Sequence, residues 1–134
     1  MIETTLADLE KIDFSGPDET IFAEGETPLG VYVLRSGSID VKFSSRSGAV
    51  NHPRIAEPGQ LLGLSAIVLH HRHEFSAVTR TPCEIGFIGR EPFERALKER
   101  PDVWIAVLRI LSNDVNAAYD DLRLLTGRRN ERTA

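Results

Sequence analysis

The sequence predicts a mainly β protein with flanking helices, in which an antiparallel sandwich or barrel is followed by a helical C-terminal part. From residue 13 to about residue 89, short apolar runs alternate with turn residues, as in 31–34 followed by 35–38. Many short strands separated by glycine-containing turns are typical of antiparallel sandwiches and barrels. From Glu91 onward the apolar residues recur at helical spacing, which predicts helices there.

Composition and charge narrow the class of protein. The chain has 134 residues, of which 41% are hydrophobic and 27% charged, and this fits one globular domain. No apolar run approaches the roughly 20 residues that span a bilayer, and no basic region followed by an apolar stretch opens the sequence, so we expect neither a membrane partner nor a secretory signal. The single cysteine, Cys83, cannot form an intramolecular disulfide, which favours a cytoplasmic protein. The net charge of −4 argues against direct nucleic-acid binding.

Helical patterns stand on both sides of the predicted strands. Leu6, Leu9 and Ile12 recur at three-residue spacing, which predicts one or two helical turns at the N-terminus. Pro92 suits the first turn of a helix, and Pro101 breaks the pattern and restarts it in a second helix. We therefore expect a connecting helix and then a longer helix after the strands.

The last helix carries the clearest pattern in the sequence. Apolar residues alternate at spacings of four and three over about three heptads. The seam residues are Trp104, Leu108, Leu111, Val115, Ala118, Leu122 and Leu125. Such a seam predicts a two-helix coiled coil with a second copy of the chain, and the alternative is an amphipathic helix that lies on the sheet. Ile105, Val107 and Ile110 make the first turns apolar nearly all round, so we expect that part of the helix to contact both.

Several segments stand in the order and spacing of a known family. They are 21–26 (IFAEGE), 31–39 (VYVLRSGSI), 58–63 (PGQLLG) and the pair Ser76-Ala77. With these segments the sequence resembles the cyclic-nucleotide-binding domain of the bacterial catabolite activator (Crp/Fnr-like) regulator family, without the helix-turn-helix. The resemblance runs from about Leu6 to Leu125. It implies a double-stranded β-helix, a jelly-roll-like β-roll, followed by a long C-terminal dimerisation helix.

The same resemblance implies how the chain is divided. Residues 1–100 form a β-roll sensor domain with N-terminal and connecting helices, 101–126 a dimerisation helix and 127–134 a flexible tail. In the family the long helix leads into a helix-turn-helix, whereas this sequence ends at Ala134. We therefore expect that control of transcription requires a separate DNA-binding partner or a further part of the chain.

The resemblance also implies a ligand site in the loop after Gly63. In members that bind nucleotides, backbone N–H groups at the start of a short helix hold the phosphate, an arginine adds a charge-assisted contact, and a glutamate accepts from the ribose. The residues assigned to this site are Gly63, Leu64, Ser65, Ala66, Arg72, Phe75, Ser76 and Ala77. Leu64 stands where the family has its glutamate and Phe75 where it has its arginine. We therefore expect no tight binding of cyclic AMP.

Three histidines and an arginine, at 70–73, occupy the same loop. They are interpreted as an exposed polar loop, as an anion site in which Arg72 replaces the missing arginine, or as a metal or haem ligand. Adjacent histidines do not by themselves provide tetrahedral spacing, so we assign no metal ligands and expect no cofactor. Cys83 is interpreted as a buried structural thiol, with redox sensing as the alternative.

Two function classes follow from these observations. No nucleophile, general base and orienting group are assembled by spacing, so we do not expect an enzyme. In the first class, a sensor of a small anionic ligand or cyclic nucleotide acts in transcription regulation by shifting the pairing of the long helices in a homodimer. In the second class, the roll has lost its ligand and serves as a dimerisation or protein-interaction module.

Overall fold

The computed structural model describes residues 6–43 and 54–112. Within these ranges the chain forms two four-stranded antiparallel sheets with helices beside them. The strands are β1 (Lys11–Ser15), β2 (Thr20–Phe22), β3 (Gly30–Ser36), β4 (Ile39–Lys42), β5 (Arg54–Ala56), β6 (Leu61–Leu62), β7 (Ser76–Thr79) and β8 (Cys83–Gly89). The helices are a 3-10 turn at Ala7–Leu9, then α1 (Leu64–Val68), α2 (Arg90–Glu99) and α3, which is helical over 101–112.

The two sheets face each other as a β-roll. The first sheet has the strand order β1-β8-β3-β6 and the second has the order β2-β7-β4-β5. Every pairing between neighbouring strands is antiparallel. The prediction of a mainly β, antiparallel fold with flanking helices is therefore confirmed for the described residues.

Two clusters of buried side chains hold this arrangement together. The inner core, between the sheets, contains Phe22, Leu34, Ile39, Ala56, Leu62, Ala77, Cys83 and Ile85. The helix-side core, between the first sheet and the helices, contains Leu6, Val31, Val33, Leu64, Ile67, Ile88, Phe93, Ala96, Val103 and Val107. The first sheet is thus covered by apolar groups on both faces.

The N-terminal prediction was partly wrong. Helical structure is limited to the 3-10 turn Ala7–Leu9, and Ile12 lies in β1. Strand β1 pairs with β8 over five residues, from Lys11 opposite Phe87 to Ser15 opposite Cys83. Four of its five residues are exposed, so no inward apolar alternation marked it as a strand. Backbone pairing to a buried neighbour outweighed the weak helical pattern here.

The helical predictions after the strands are confirmed within the described residues. Pro92 lies in the first turn of α2, and Arg100 is the one residue that separates α2 from α3. The Arg100 guanidinium contacts the carboxylate of Asp8 at 3.2 Å, which joins this break to the N-terminal turn. No helix in the described ranges has the length and hydropathy needed to cross a membrane.

A buried ion pair joins the N-terminal segment to the first sheet. The carboxylate of Glu10 is almost fully buried and binds the Arg35 guanidinium on β3. A Cβ added at Gly86 would lie 2.1 Å from Glu10 Oε1, so glycine at this position makes room for the carboxylate. The side chain of Glu10 is therefore held between β3 and β8.

We expect Arg35→Leu to lower the free energy of unfolding by about 3–5 kcal/mol, because it leaves the Glu10 carboxylate buried without this partner. The matched control is Arg90→Leu, which removes the more exposed pair between Arg90 and Glu94 and is expected to cost less than about 1 kcal/mol. Urea denaturation followed by circular dichroism measures both losses. Equal losses in the two variants would contradict a structural role for the Glu10 pair.

Candidate functional site

The turn between β6 and α1 requires glycine. Gly63 has a φ of +83°, in the left-handed region that side chains disfavour. A Cβ at this position would lie 3.1 Å from His73 Cε1 and 3.3 Å from the Gly30 carbonyl oxygen. The start of α1 and the imidazole of His73 are therefore in direct contact.

Helix α1 is anchored on the side away from the inner core. Leu64 and Ile67 lie in the helix-side core, and Ala66 is buried as well. Ser65 is half-buried, and its Oγ lies 3.4 Å from His71 Nε2. Leu64 is thus a core residue packed with α2 and α3.

The segment that enters β7 faces the inner core with alternate residues. Phe75 packs against this core, and its ring centroid is 5.3 Å from that of Phe22 and 5.6 Å from that of Phe43. Ser76 Oγ accepts a hydrogen bond from the Glu24 backbone N–H at 2.9 Å. Ala77 is buried in the inner core. This segment therefore contributes the aromatic ring of Phe75 and the methyl group of Ala77 to the inner core.

Three of the four residues at 70–73 point to separate places at the protein surface. His70 has a φ of +56° and is exposed. His71 Nδ1 lies 2.8 Å from the carbonyl oxygen of Arg72, and its Nε2 lies 3.7 Å from the Glu74 carboxylate. The Arg72 guanidinium donates to the Gly25 carbonyl oxygen at 2.9 Å and is exposed.

His73 is the residue of this group that turns inward. It is only 3% exposed, and its ring stacks on Phe22 at a centroid distance of 3.9 Å and an interplanar angle of 16°. Its backbone is fixed to the turn after β2, because Gly25 N–H donates to His73 O at 2.8 Å and His73 N–H donates to Glu26 O at 3.0 Å. The imidazole Nδ1 is buried and has no hydrogen-bond partner among the described residues. A buried polar atom without a partner typically costs about 1–3 kcal/mol.

Burial lowers the pKa of His73 below its ordinary value of 6.5. The nearby Glu26 carboxylate acts in the opposite direction, and His71 adds to the lowering. Because burial has the largest effect, the ring is neutral at neutral pH.

The structure assigns different surroundings to the sequence-predicted site residues. Phe75 and Ala77 pack in the inner core, and Gly63 lies next to His73. Arg72 stays at the surface. In the described ranges, no cluster of three or more histidine, cysteine, aspartate or glutamate side chains has the geometry to hold a metal ion. Cys83 is a buried free thiol whose Sγ donates to the carbonyl oxygens of Thr81 and Ser38, at 3.1 and 3.4 Å.

The far side of α1 borders a groove of about 630 Å³. Its lining residues are Ile67, Val68, His70, Glu94, Leu97, Lys98, Pro101 and Trp104. The groove is separate from the inner core, because its walls come from the three helices rather than from the second sheet. Gly63, just before α1, contacts the loop at 70–73 through His73. Ile67 of α1 contacts the layer of helices.

The predicted seam is described only over its first turns. Trp104 and Leu108 are 44% and 46% exposed, and Leu111 is half-buried. Val103 and Val107 of α3 are completely buried in the helix-side core. The remaining seam residues, Val115, Ala118, Leu122 and Leu125, lie outside the described residues, as does the predicted tail.

Residues 15–100 match the family described as the cyclic nucleotide-binding domain. The chain belongs to this family. One relative of the domain is the CRP-like cAMP-activated global transcriptional regulator of Mycobacterium tuberculosis, which is 25% identical over 114 residues. That match covers 85% of the present chain and 50% of the relative, so the chain spans half the length of the relative.

Solved structures show the same fold as this cyclic nucleotide-binding domain. The catabolite activator protein of Thermus thermophilus superposes with a TM-score of 0.81 at 19% identity, over 93% of this chain and 59% of the other. The regulatory subunit of a cAMP-independent protein kinase A from Trypanosoma brucei superposes with a TM-score of 0.71 at 25% identity. This second match covers 92% of the present chain and 44% of the other.

The sequence alone did not identify His73 as the residue of the 70–73 loop that turns into the core. The signal was present, because burial alternates along the segment. His73, Phe75 and Ala77 face inward, and Arg72 and Glu74 are exposed. That is the two-residue period of an extended strand. The three interpretations of 70–73, as an exposed polar loop, an anion site or a metal or haem ligand, do not separate His73 from its neighbours.

We expect the stability of the domain to fall with acidification below about pH 6.5, partly through His73. Because the folded-state pKa of His73 is lowered, the unfolded chain binds more protons below that pH, and the native state loses up to about 1.4 kcal/mol per pH unit. His73→Phe keeps the ring stack and removes this contribution. Thermal unfolding of both proteins at about pH 7.5 and 5.5 measures the difference.

The exposed histidine of the same segment supplies the control. His70→Asn retains a residue that tolerates positive φ and is expected to keep the full acid-induced loss of stability. If the stability of the wild type and that of His73→Phe depend on pH in the same way, His73 does not contribute to the acid-induced loss of stability.

Proposed function

We propose that this domain is a regulatory ligand sensor of the cyclic-nucleotide-binding type that does not bind cyclic AMP tightly, and that it acts in transcription regulation as a homodimer. The relative from Mycobacterium tuberculosis supports the regulatory role by its name. The family shared over residues 15–100 supports a ligand site inside the roll. On this proposal the domain performs no catalysis.

The position of Phe75 carries the proposal of weak cyclic AMP binding. Its ring packs against Phe22, Phe43 and the inner core and offers no positive charge to a phosphate. A hydrogen bond to a charged group is worth about 1.5–3 kcal/mol, which corresponds to roughly 10- to 150-fold in affinity. Leu64, buried in the helix-side core, supplies no acceptor for a ribose hydroxyl. Both losses reduce affinity for a cyclic nucleotide.

A signal from the loop has a short physical path to the last helix. Leu64 and Ile67 of α1 share the helix-side core with Val103 and Val107 of α3. Close-packed side chains transmit a displacement because there is no free volume to absorb it. A ligand that shifts α1 would therefore shift α3, which is the element that we propose to pair.

The distribution of apolar groups on α3 supports pairing with a second copy. Val103 and Val107 fix the helix to the roll, while the neighbouring Trp104, Ile105 and Leu108 are left about half exposed. Trp104 and Leu108 begin the heptad seam predicted from the sequence. Burying each of them against a partner would contribute about 1.5–3 kcal/mol.

A second candidate function is a dimerisation or protein-interaction module without a ligand. The aromatic contacts of Phe22 with Tyr32, His73 and Phe75 favour it, because these rings fill the inner core near the loop. A structural neighbour from Trypanosoma brucei is a cAMP-independent regulatory subunit, which shows that this fold also serves regulators that do not depend on cyclic AMP. Calorimetry with a panel of cyclic nucleotides separates the two functions, since only the sensor takes up a ligand.

We expect wild-type protein to show no binding of cyclic AMP at micromolar concentration and about pH 7.5. Phe75→Arg should increase the affinity by about 10- to 100-fold, because it restores a charge-assisted contact at the mouth of the roll. Isothermal titration calorimetry measures both affinities, and thermal unfolding verifies that the variant is folded.

Phe43→Arg is the matched control for this gain. Phe43 contacts Phe75 and is exposed, so the variant adds the same charge nearby but outside the loop. Equal affinities of the two arginine variants would contradict the assigned position of the phosphate. Micromolar binding by the wild type would contradict the proposed loss of recognition.

We expect Leu108→Asp to weaken dimerisation by at least about hundredfold, because two copies of the side chain would each place a charge in an apolar seam. Leu108 is partly exposed in one copy, so the fold should persist. Sedimentation velocity over a range of concentrations measures the change. Arg109→Asp, at an exposed neighbouring position outside the seam, should leave the dimer intact, and a wild-type monomer at high micromolar concentration would contradict the pairing.

A further inference from the structure

His73 carries a buried polar atom that a residue serving only to fill the core would not need. A buried phenylalanine would stack on Phe22 equally well, yet an imidazole with an unpartnered Nδ1 occupies the position. Its Cε1 and Nδ1 lie 3.1 and 3.8 Å from the Cβ position of Gly63, so the Nδ1–Cε1 edge of the ring faces the turn that begins α1. The unpartnered atom is therefore directed at the start of the loop that the family uses for its ligand.

Burial lowers the pKa of His73, and the charged groups around its ring act on that pKa in opposite directions. From the turn after β2, the Glu26 carboxylate favours the protonated ring, whereas His71 on the same loop opposes it. Arg72 and Glu74 flank His73 but are exposed, and Glu24 of the same turn is exposed too. Tyr32 of β3, whose pKa is raised by burial and then by Glu26, is neutral at physiological pH. Helix α1 (Leu64–Val68) contributes no titratable side chain to the contact.

We propose that His73 is the residue that receives an anionic ligand in this loop and that it takes up a proton as the anion binds. This inference rests on the proposed ligand-sensing function and names the chemistry of its site. The ligand class is an anion of the cyclic phosphodiester type, and the imidazolium supplies the positive charge that Phe75 does not. Affinity then increases as the pH falls, which distinguishes this site from one that depends on an arginine.

Proton uptake also explains how a closed position becomes accessible. Nδ1 has no exposed surface in the neutral state, and a buried imidazolium without a partner is unstable. Protonation therefore favours movement of the ring away from Phe22, and an anion at the start of α1 supplies the missing partner. Because Gly63 touches the ring, this movement is transmitted directly to the helix that packs on α3.

Calorimetric titration with cyclic AMP as the probe, up to millimolar concentration and at about pH 7.5, 6.5 and 5.5, tests the inference. Binding should tighten by up to about tenfold per pH unit on acidification, with uptake of close to one proton. Proton uptake is read from the dependence of the heat on the ionisation enthalpy of the buffer, with MES compared with bis-tris. Phosphate is left out of all solutions because it is itself a candidate anion.

Three variants separate His73 from its neighbours. His73→Gln keeps a neutral hydrogen-bonding group, and His73→Phe keeps the ring stack, so both should bind weakly and without pH dependence. Arg72→Gln should change the affinity by the same factor at every pH and retain the proton uptake. Thermal unfolding of each variant establishes that it is folded before titration.

The outcomes distinguish failure of this inference from failure of the proposed function. If cyclic AMP binds equally well at all pH values, or if the His73 variants keep the pH dependence, the inference is wrong while the ligand sensor stands. If neither the wild type nor Phe75→Arg binds any cyclic nucleotide at any pH, the sensor function is wrong, and the inference with it. Loss of proton uptake in Arg72→Gln would assign the anion to Arg72 instead.

Discussion

The pairing of β3 with β8 is the constraint on which the rest of the structure depends. Val31 and Val33 of β3 face the helix-side core, while Leu34 faces the inner core. Ile88 and Ile85 of β8 divide between the same two cores. One pair of strands therefore separates the inner core of the domain from its helical side. Apolar burial on both faces makes this pair rigid, so any communication between the two sides has to pass around it, through α1.

Sequence patterns that extend over only a few residues were sufficient to predict much of the fold. The strands around Tyr32 and Val41 and the helix that begins near Pro92 were visible because alternation, turn glycines and helical spacing act over a few residues. The break at Arg100 was visible for the same reason. Strand β1 was not visible, since its stability comes from backbone pairing with β8, about seventy residues away. No sequence pattern within β1 indicates that it pairs with β8.

The candidate site was assigned from the family segments, and the structure adds where its side chains lie. Gly63, Ser76 and Ala77 were identified because the family segments fix their order, and Phe75 was recognised as a departure. Arg72 is one predicted anion ligand because of its charge, and this stays a prediction. In the structure its guanidinium donates to the Gly25 carbonyl oxygen at the surface, whereas His73 turns inward. Side-chain direction in this segment is set by the β-like pairing of His73 with the turn at Glu26, which is a tertiary contact.

An ion pair at the surface contributes to the joint between α2 and α3. Arg100 is the only residue between the helices in the described chain, and its guanidinium binds Asp8 at 3.2 Å with both groups partly in water. Ion pairs of this kind are worth about 1 kcal/mol or less and weaken with added salt. Val103 and Val107 hold the following turns of α3 in the helix-side core, so added salt weakens only the ionic part of this joint. The N-terminal turn and the start of α3 therefore meet at a surface contact whose strength depends on the ionic strength of the surroundings.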